Sequence, residues 1–203
     1  MANPLVPLCL MTLLSPALLP GAPASPAEAI SQAHSLALYM QKNTSMLLQL
    51  YLQHQGSPFS EPGFSAPELQ LDGLPPANIS LPAWRGLRDG DRLTRTFGAF
   101  SALAQYLQLV GDDQADLNPD SPALLARLGA ARLRAQGLAS NTAAIMSALG
   151  LAPPPEVDVL RPVPFGASAF ERKCRGYVAT REYGRWTDRA VRELALLKAK
   201  YPA

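Results

Sequence analysis

Metal and thiol chemistry need clustered ligands, and this 203-residue chain has two histidines, His34 and His54, and two cysteines, Cys9 and Cys174. They are too scattered for a zinc site, which draws four nitrogen or sulfur ligands together at short spacing. Neither an HExxH pair nor a glycine-rich phosphate loop occurs, and no GxSxG elbow accompanies either histidine. His54 stands beside a helix end and reads as a structural or interface residue. Asp112, Asp113 and Asp116 cluster, but lack the glycine and terminal glutamate of a calcium loop, and read as solvated. We therefore expect no enzyme, no cofactor and no metal. The residues that do suggest chemistry lie between Phe170 and Tyr201: Phe170, Lys173, Tyr183, Trp186, Arg189 and Arg192. Burying one helix face does not require that set. Aromatic and arginine side chains supply most of the energy at protein interfaces, so the expected chemistry is recognition of another protein.

Charge sharpens that reading. From Ala167 onward nine Lys/Arg face four Asp/Glu, a balance of +5, so the rest of the chain carries −3 of the total +2. A basic helix can serve nucleic acid or anionic lipid. Interleaved acids and aromatics, together with an export signal, favour a protein partner and exclude nucleic acid. Arg185, Arg189 and Arg192 fall within about one turn of each other and are expected to form an electropositive strip.

That export signal is the amino-terminal stretch. Residues 1–24 contain no Asp, Glu, Lys or Arg, run through a Leu-rich segment from Leu5 to Leu19, and end in Ala22-Pro23-Ala24. This is the pattern of a cleaved secretory signal peptide with a weak n-region, too short and too isolated for a membrane span, which takes about 20 residues. Residues 25–203 are then one secreted domain. Its lone Cys174 permits no internal disulfide and reads as a small buried hydrophobe. Asn43-Thr44-Ser45 and Asn78-Ile79-Ser80 are candidate N-glycosylation sites. Asn78, in a proline-rich stretch, is the better one, since Asn43 falls inside a predicted helix.

Four segments must position these residues, predicted as helices over 27–55, 89–111, 121–149 and 167–201. Ile30, Ala33, Ala37, Met40, Thr44, Leu47, Tyr51 and His54 recur at steps of three and four, as do Leu93, Phe97, Phe100, Ala104 and Leu107. Leu124, Leu128, Ala131, Ala135, Leu138, Thr142, Ile145 and Leu149 continue the pattern in the third. Ser25-Pro26 with Glu28 opens the first helix and Asp120-Ser121-Pro122 the third. Gly150 and Pro153-Pro154-Pro155 close the third, and Gly166 precedes the fourth. The connections are about 30, about ten and about 16 residues, the long ones rich in proline. Long–short–long spacing predicts an all-α, long-chain four-helix bundle of up-up-down-down topology with two long crossover loops.

The residues also resemble a known family. Tyr51 to Gly56 (YLQHQG), Leu71 to Pro75 (LDGLP), Trp84, Leu87, Arg92 and Leu93, and then Phe170-x-x-Lys173 with Gly176, Trp186 and Arg189, resemble the interleukin-6-type cytokines of the ciliary neurotrophic factor and cardiotrophin branch. The resemblance spans essentially all of residues 25–203. It implies a secreted ligand, monomeric before binding, that bridges an alpha receptor and two signalling chains to trigger JAK/STAT-type signalling of a neurotrophic kind. Phe170 and Lys173 would engage the leukaemia inhibitory factor receptor. Trp84, Trp186, Arg189 and Glu193 would engage the ciliary neurotrophic factor receptor alpha chain. Exposed faces of the first and third helices would meet the shared glycoprotein-130 signalling chain. A second reading, a secreted amphipathic lipid-binding helical protein, rests on the Leu/Ala-rich helices and the basic last one; the lack of any internal repeat speaks against it.

Overall fold

The computed structural model describes residues 25–160 and 167–202, and the expected leader, residues 1–24, lies outside them together with Gly166. The described residues form five helices: α1 (Pro26–Gln55), α2 (Leu81–Arg85), α3 (Asp89–Leu117), α4 (Pro122–Ala148) and α5 (Ala169–Lys200). No strand occurs among them.

Local chemistry sets the helix starts. Ser25 caps α1 by accepting the Glu28 amide while Glu28 reaches back to Ser25 N–H, and Ser168 and Glu171 repeat this box at α5. Each box satisfies two amides that an open helix end would leave without partners. The apolar stripes then make the core. Ile30, Met40, Tyr51, Phe100, Leu107, Leu128 and Leu138 are all essentially inaccessible, and each large side chain so buried contributes about 1.5–3 kcal/mol. Two members of the expected stripes lie only half-buried, His54 and Leu149. At the first of these the buried position passes to Gln55.

Helix α1 packs on α4 and α5, and α3 packs on the same two. Pairings between helices give their directions. Tyr39 meets Arg134 while Leu36 meets Gly137, so α4 runs against α1. The end of α1 meets the start of α5 where Tyr51 bonds to Lys173, and the end of α3 meets it where Asp113 bonds to Arg172. Hence α5 opposes both α1 and α3.

The first crossover, residues 56–80, is a fitted strap along α5. Tyr177 accepts the Ala66 amide, and Arg181 donates to the carbonyls of Ala66 and Leu69, each at 2.7 Å. Farther along, Trp186 Nε1 donates to Pro75 O at 2.7 Å, and Arg189 donates to the carbonyls of Ala77 and Ile79. Loop and helix numbers rise together, so the strap returns the chain from the far end of α1 to the near end, where α3 begins. Backbone polar groups of a covered loop need such partners.

Two expectations are corrected. The second predicted helix does not stop at 111 but continues through Leu117. Asp113, read as solvated, is buried and ion-paired with Arg172 at 2.8 Å and Arg175 at 2.7 Å. Those charges let the acidic turn stay helical against the bundle. The short helix α2 was not expected at all.

Candidate functional site

Phe170 sits in the first turn of α5 with 58% of its surface exposed, the largest exposed aromatic at that end of the bundle. It has a floor. Its ring lies 5.6 Å from Phe59, which is fully buried; Phe59 stacks on Phe64 at 4.9 Å, and Phe64 meets Tyr177 edge-on at 5.1 Å. An aromatic supported from beneath and open above is shaped to enter a pocket on a partner. Lys173, one turn on, is half-buried, and its Nζ donates to Gln55 O at 2.6 Å. That carbonyl belongs to the last turn of α1, where a cation is favoured by the helix dipole. The ammonium has two further donors. Cys174 beside it is half-buried, and burial, then the charge of Glu171, pushes its thiol above the ordinary range.

The opposite corner holds Trp84, Trp186, Arg189 and Glu193. The structure brings all four together and encloses them: none is more than 5% exposed. Glu193 is the hub. Trp84 Nε1 donates to it at 2.8 Å and Arg92 Nε at 2.9 Å, while Arg92 also reaches Asp89 at 2.7 Å and the Leu87 carbonyl. Arg189 lies over the Trp84 ring at 4.5 Å, and Trp84 meets Trp186 edge-on at 6.0 Å. Arg189 Nε and Nη1 find no oxygen, and the guanidinium rests against the two indoles, 4.5 Å from Trp84 and 6.0 Å from Trp186. Burial, then the charge of Arg192, lowers the Arg189 pKa from the ordinary guanidinium value.

The open recognition face expected on the last helix is therefore corrected. Tyr183, Trp186 and Arg189 are buried and bind the strap or the core, leaving Phe170 and Arg192 outward. The expected Arg185–Arg189–Arg192 strip is likewise broken, because Arg189 is inside and Arg185 pairs with Glu182 at 2.9 Å. What this corner shows to solvent is a groove of about 260 Å³ edged by Leu81, Arg85, Arg192 and Leu196.

Known proteins match this chain along its length. Residues 26–203 fit the family described as plethodontid receptivity factor PRF. Cardiotrophin-2 of Mus musculus is 73% identical over 197 residues, 97% of either chain. The chain belongs to the cardiotrophin family of interleukin-6-type cytokines. Cardiotrophin-2 of Pan troglodytes is 69% identical over 203 residues, the whole of both chains, and cardiotrophin-1 of Homo sapiens 37% identical over 172, covering 83% and 84%.

Exposed apolar side chains occur elsewhere too, at Leu38, Tyr39 and Met46 of α1 and at Leu133 of α4. Tyr39 carries the Arg134 guanidinium 4.9 Å above its ring. Asn78 is exposed in the strap just before α2, whereas Asn43 is half-buried in α1 and its amide donates to the Tyr39 carbonyl at 2.9 Å. Sequence reasoning missed Tyr51, Phe59, Arg92 and Gln114 as builders of the corners. Trp186 could have been placed from spacing, since Tyr183, Trp186, Ala190, Leu194 and Leu197 step by three and four along one buried stripe.

Proposed function

We propose that the chain is a secreted, monomeric cytokine that catalyses no reaction and acts by joining three receptor chains. The observation that carries the reading is the exposed Phe170 on its buried aromatic floor, with the Lys173 ammonium one turn away. A desolvating aromatic flanked by a cation makes an interface hot spot with both affinity and orientation. By family resemblance its partner is the leukaemia inhibitory factor receptor. The α2–α5 corner is assigned to the ciliary neurotrophic factor receptor alpha chain. There the buried Trp84, Trp186, Arg189 and Glu193 shape the surface, and Leu81, Arg85, Arg192 and Leu196 touch the partner. The exposed faces of α1 and α4, which carry Leu38, Tyr39, Met46 and Leu133, are assigned to the glycoprotein-130 chain. Residues 1–24 act as the export signal, and Asn78 rather than Asn43 is the N-glycan acceptor. No described helix is long and apolar enough to cross a membrane.

The test is phosphorylation of JAK/STAT-type transducers in cells bearing both signalling chains, with and without the alpha chain. Wild type is expected to signal only with the alpha chain, and Phe170→Ala and Lys173→Ala to lose most of that response. Silence from folded, helical wild type would overturn the reading.

A further inference from the structure

The last turn of α1 and the first turns of α5 meet through one hydroxyl. Tyr51 is fully buried, and its Oη donates to the main-chain carbonyl of Lys173 at 3.0 Å. Gln114 Nε2 donates to the Tyr51 hydroxyl oxygen at 3.4 Å, and Gln114 is itself locked in an amide pair with Gln55, whose Nε2 donates to Gln114 Oε1 at 2.9 Å. This contact exists because α5 has a gap. A Cβ on Gly176 would stand 2.0 Å from Tyr51 Oη and 2.3 Å from Cζ, so only glycine admits the ring. Burial, then the charge of Asp113, raises the Tyr51 pKa well above the ordinary phenol value, so the hydroxyl keeps the proton it donates.

Lys173 is thus held twice. Tyr51 fixes its backbone, and the Gln55 carbonyl fixes its side chain from the same turn of α1. Phe170 lies one turn before it on the same rigid stretch. Side chains held in their bound geometry lose less freedom on association, which raises affinity without adding a contact.

We propose that Tyr51, reaching through the Gly176 gap, is the positioning residue of the Phe170–Lys173 surface and sets how tightly that surface holds its receptor. This rests on the reading that this end of the bundle docks a signalling chain. Tyr51 touches no partner itself. The YLQHQG segment and the FxxK–Gly176 segment therefore work as one unit, although Tyr51 and Gly176 stand far apart in sequence.

The experiment compares wild type, Tyr51→Phe and Phe170→Ala as full-length secreted protein. It measures binding to the leukaemia inhibitory factor receptor and glycoprotein-130 ectodomains, and thermal unfolding. Tyr51→Phe keeps the ring and removes the donor to Lys173 O and the acceptor for Gln114 Nε2, while Gln114 keeps its bonds to Gln55 and the Lys173 carbonyl retains its place in the α-helical ladder. We expect roughly five- to twentyfold weaker binding to the first receptor, mostly through faster dissociation, binding to the second within about twofold, and a Tm lowered by only about 2–4 °C, the loss of one buried hydrogen bond. Unchanged binding by Tyr51→Phe while Phe170→Ala loses affinity would overturn the positioning role. Equal losses at both receptors with a larger fall in Tm would reassign the hydroxyl to general stability and overturn it as well. If Phe170→Ala binds like wild type, the docking reading has failed, and the positioning role falls with it.

Discussion

Glu193 shows why side-chain type alone misleads on a helix of this kind. A carboxylate on a basic helix looks like a surface counter-charge, yet Glu193 is 1% exposed and accepts from Arg92 and Trp84. Its value lies in what it would leave behind. Removing it leaves Arg92 Nε and the Trp84 indole N–H without an acceptor in a dry corner, while Arg92 keeps Asp89 and the Leu87 carbonyl, and leaving such buried donors unmet costs about 1–3 kcal/mol. Glu193→Ala is therefore expected to lower unfolding stability by that order in urea titrations. Glu193→Gln keeps an oxygen for Trp84, and Asp89 still faces Arg92, so it should cost distinctly less. Equal midpoints for wild type and Glu193→Ala would show that water reaches this corner and that the enclosure is not maintained in solution. Under the proposed assignment of this corner to an alpha receptor, such a loss would weaken binding indirectly, through the placement of α2.

At the scale of elements, the long helices were legible and the short one was not. The stripes of α1, α3 and α4 repeat at three and four, and burial follows them at nearly every position. The helix LPAWR has no room for a period. It is held by a Ser80 cap and by Trp84, whose partner Glu193 lies 109 residues away. The last turns of α3 were misread for a related reason, since Asp113 is neutralised by Arg172 and Arg175 from another helix. Likewise, the arginines and tryptophan of α5 could not be sorted into strap-binding and solvent-facing without knowing where the strap runs. The α5 cap went unread, the helix being expected from 167 behind Gly166, although Ser168 and Glu171 have the capping-box spacing. In the structure Ser168 Oγ accepts the Glu171 amide at 3.2 Å. This cap stands two residues before Phe170. Ser168→Ala should cost about 1 kcal/mol of stability and speed amide hydrogen exchange selectively in the first turn of α5. Uniform exchange changes along α5 would instead place the cap in the global unfolding unit.

For the whole molecule, the decisive feature is that α5 closes the bundle at both ends by charge. At one end Arg172 and Arg175 clasp Asp113 from α3. At the other, the end of α5 returns to the start of α3, where Lys200 Nζ and Tyr201 Oη donate to Asp89 at 2.7 and 3.0 Å. Burial pushes the Asp89 carboxyl up, but the hydrogen bonds from Lys200 and Tyr201 and the charges of Lys200 and Arg92 outweigh it, so its pKa lies below the ordinary value. A carboxylate depressed on folding contributes stability that is present above its unfolded value, about 3.9, and is lost as pH falls through the lower folded value. Stability from this clasp should thus be level from neutrality down to about pH 4 and decline below it. Glu28 and Glu171, also depressed by their capping bonds to Ser25 and Ser168, slope the same way, so the Asp89 share needs its own variant. Asp89→Asn is expected to be less stable than wild type at neutral pH and to converge on it in acid, followed by urea midpoints across a pH series. Parallel curves that never converge would mean that the loss is one of shape at the α3 start and not of charge. Convergence would establish that the last turn of α5 is held to the start of α3 by an ionic closure at Asp89 and not by the apolar core alone.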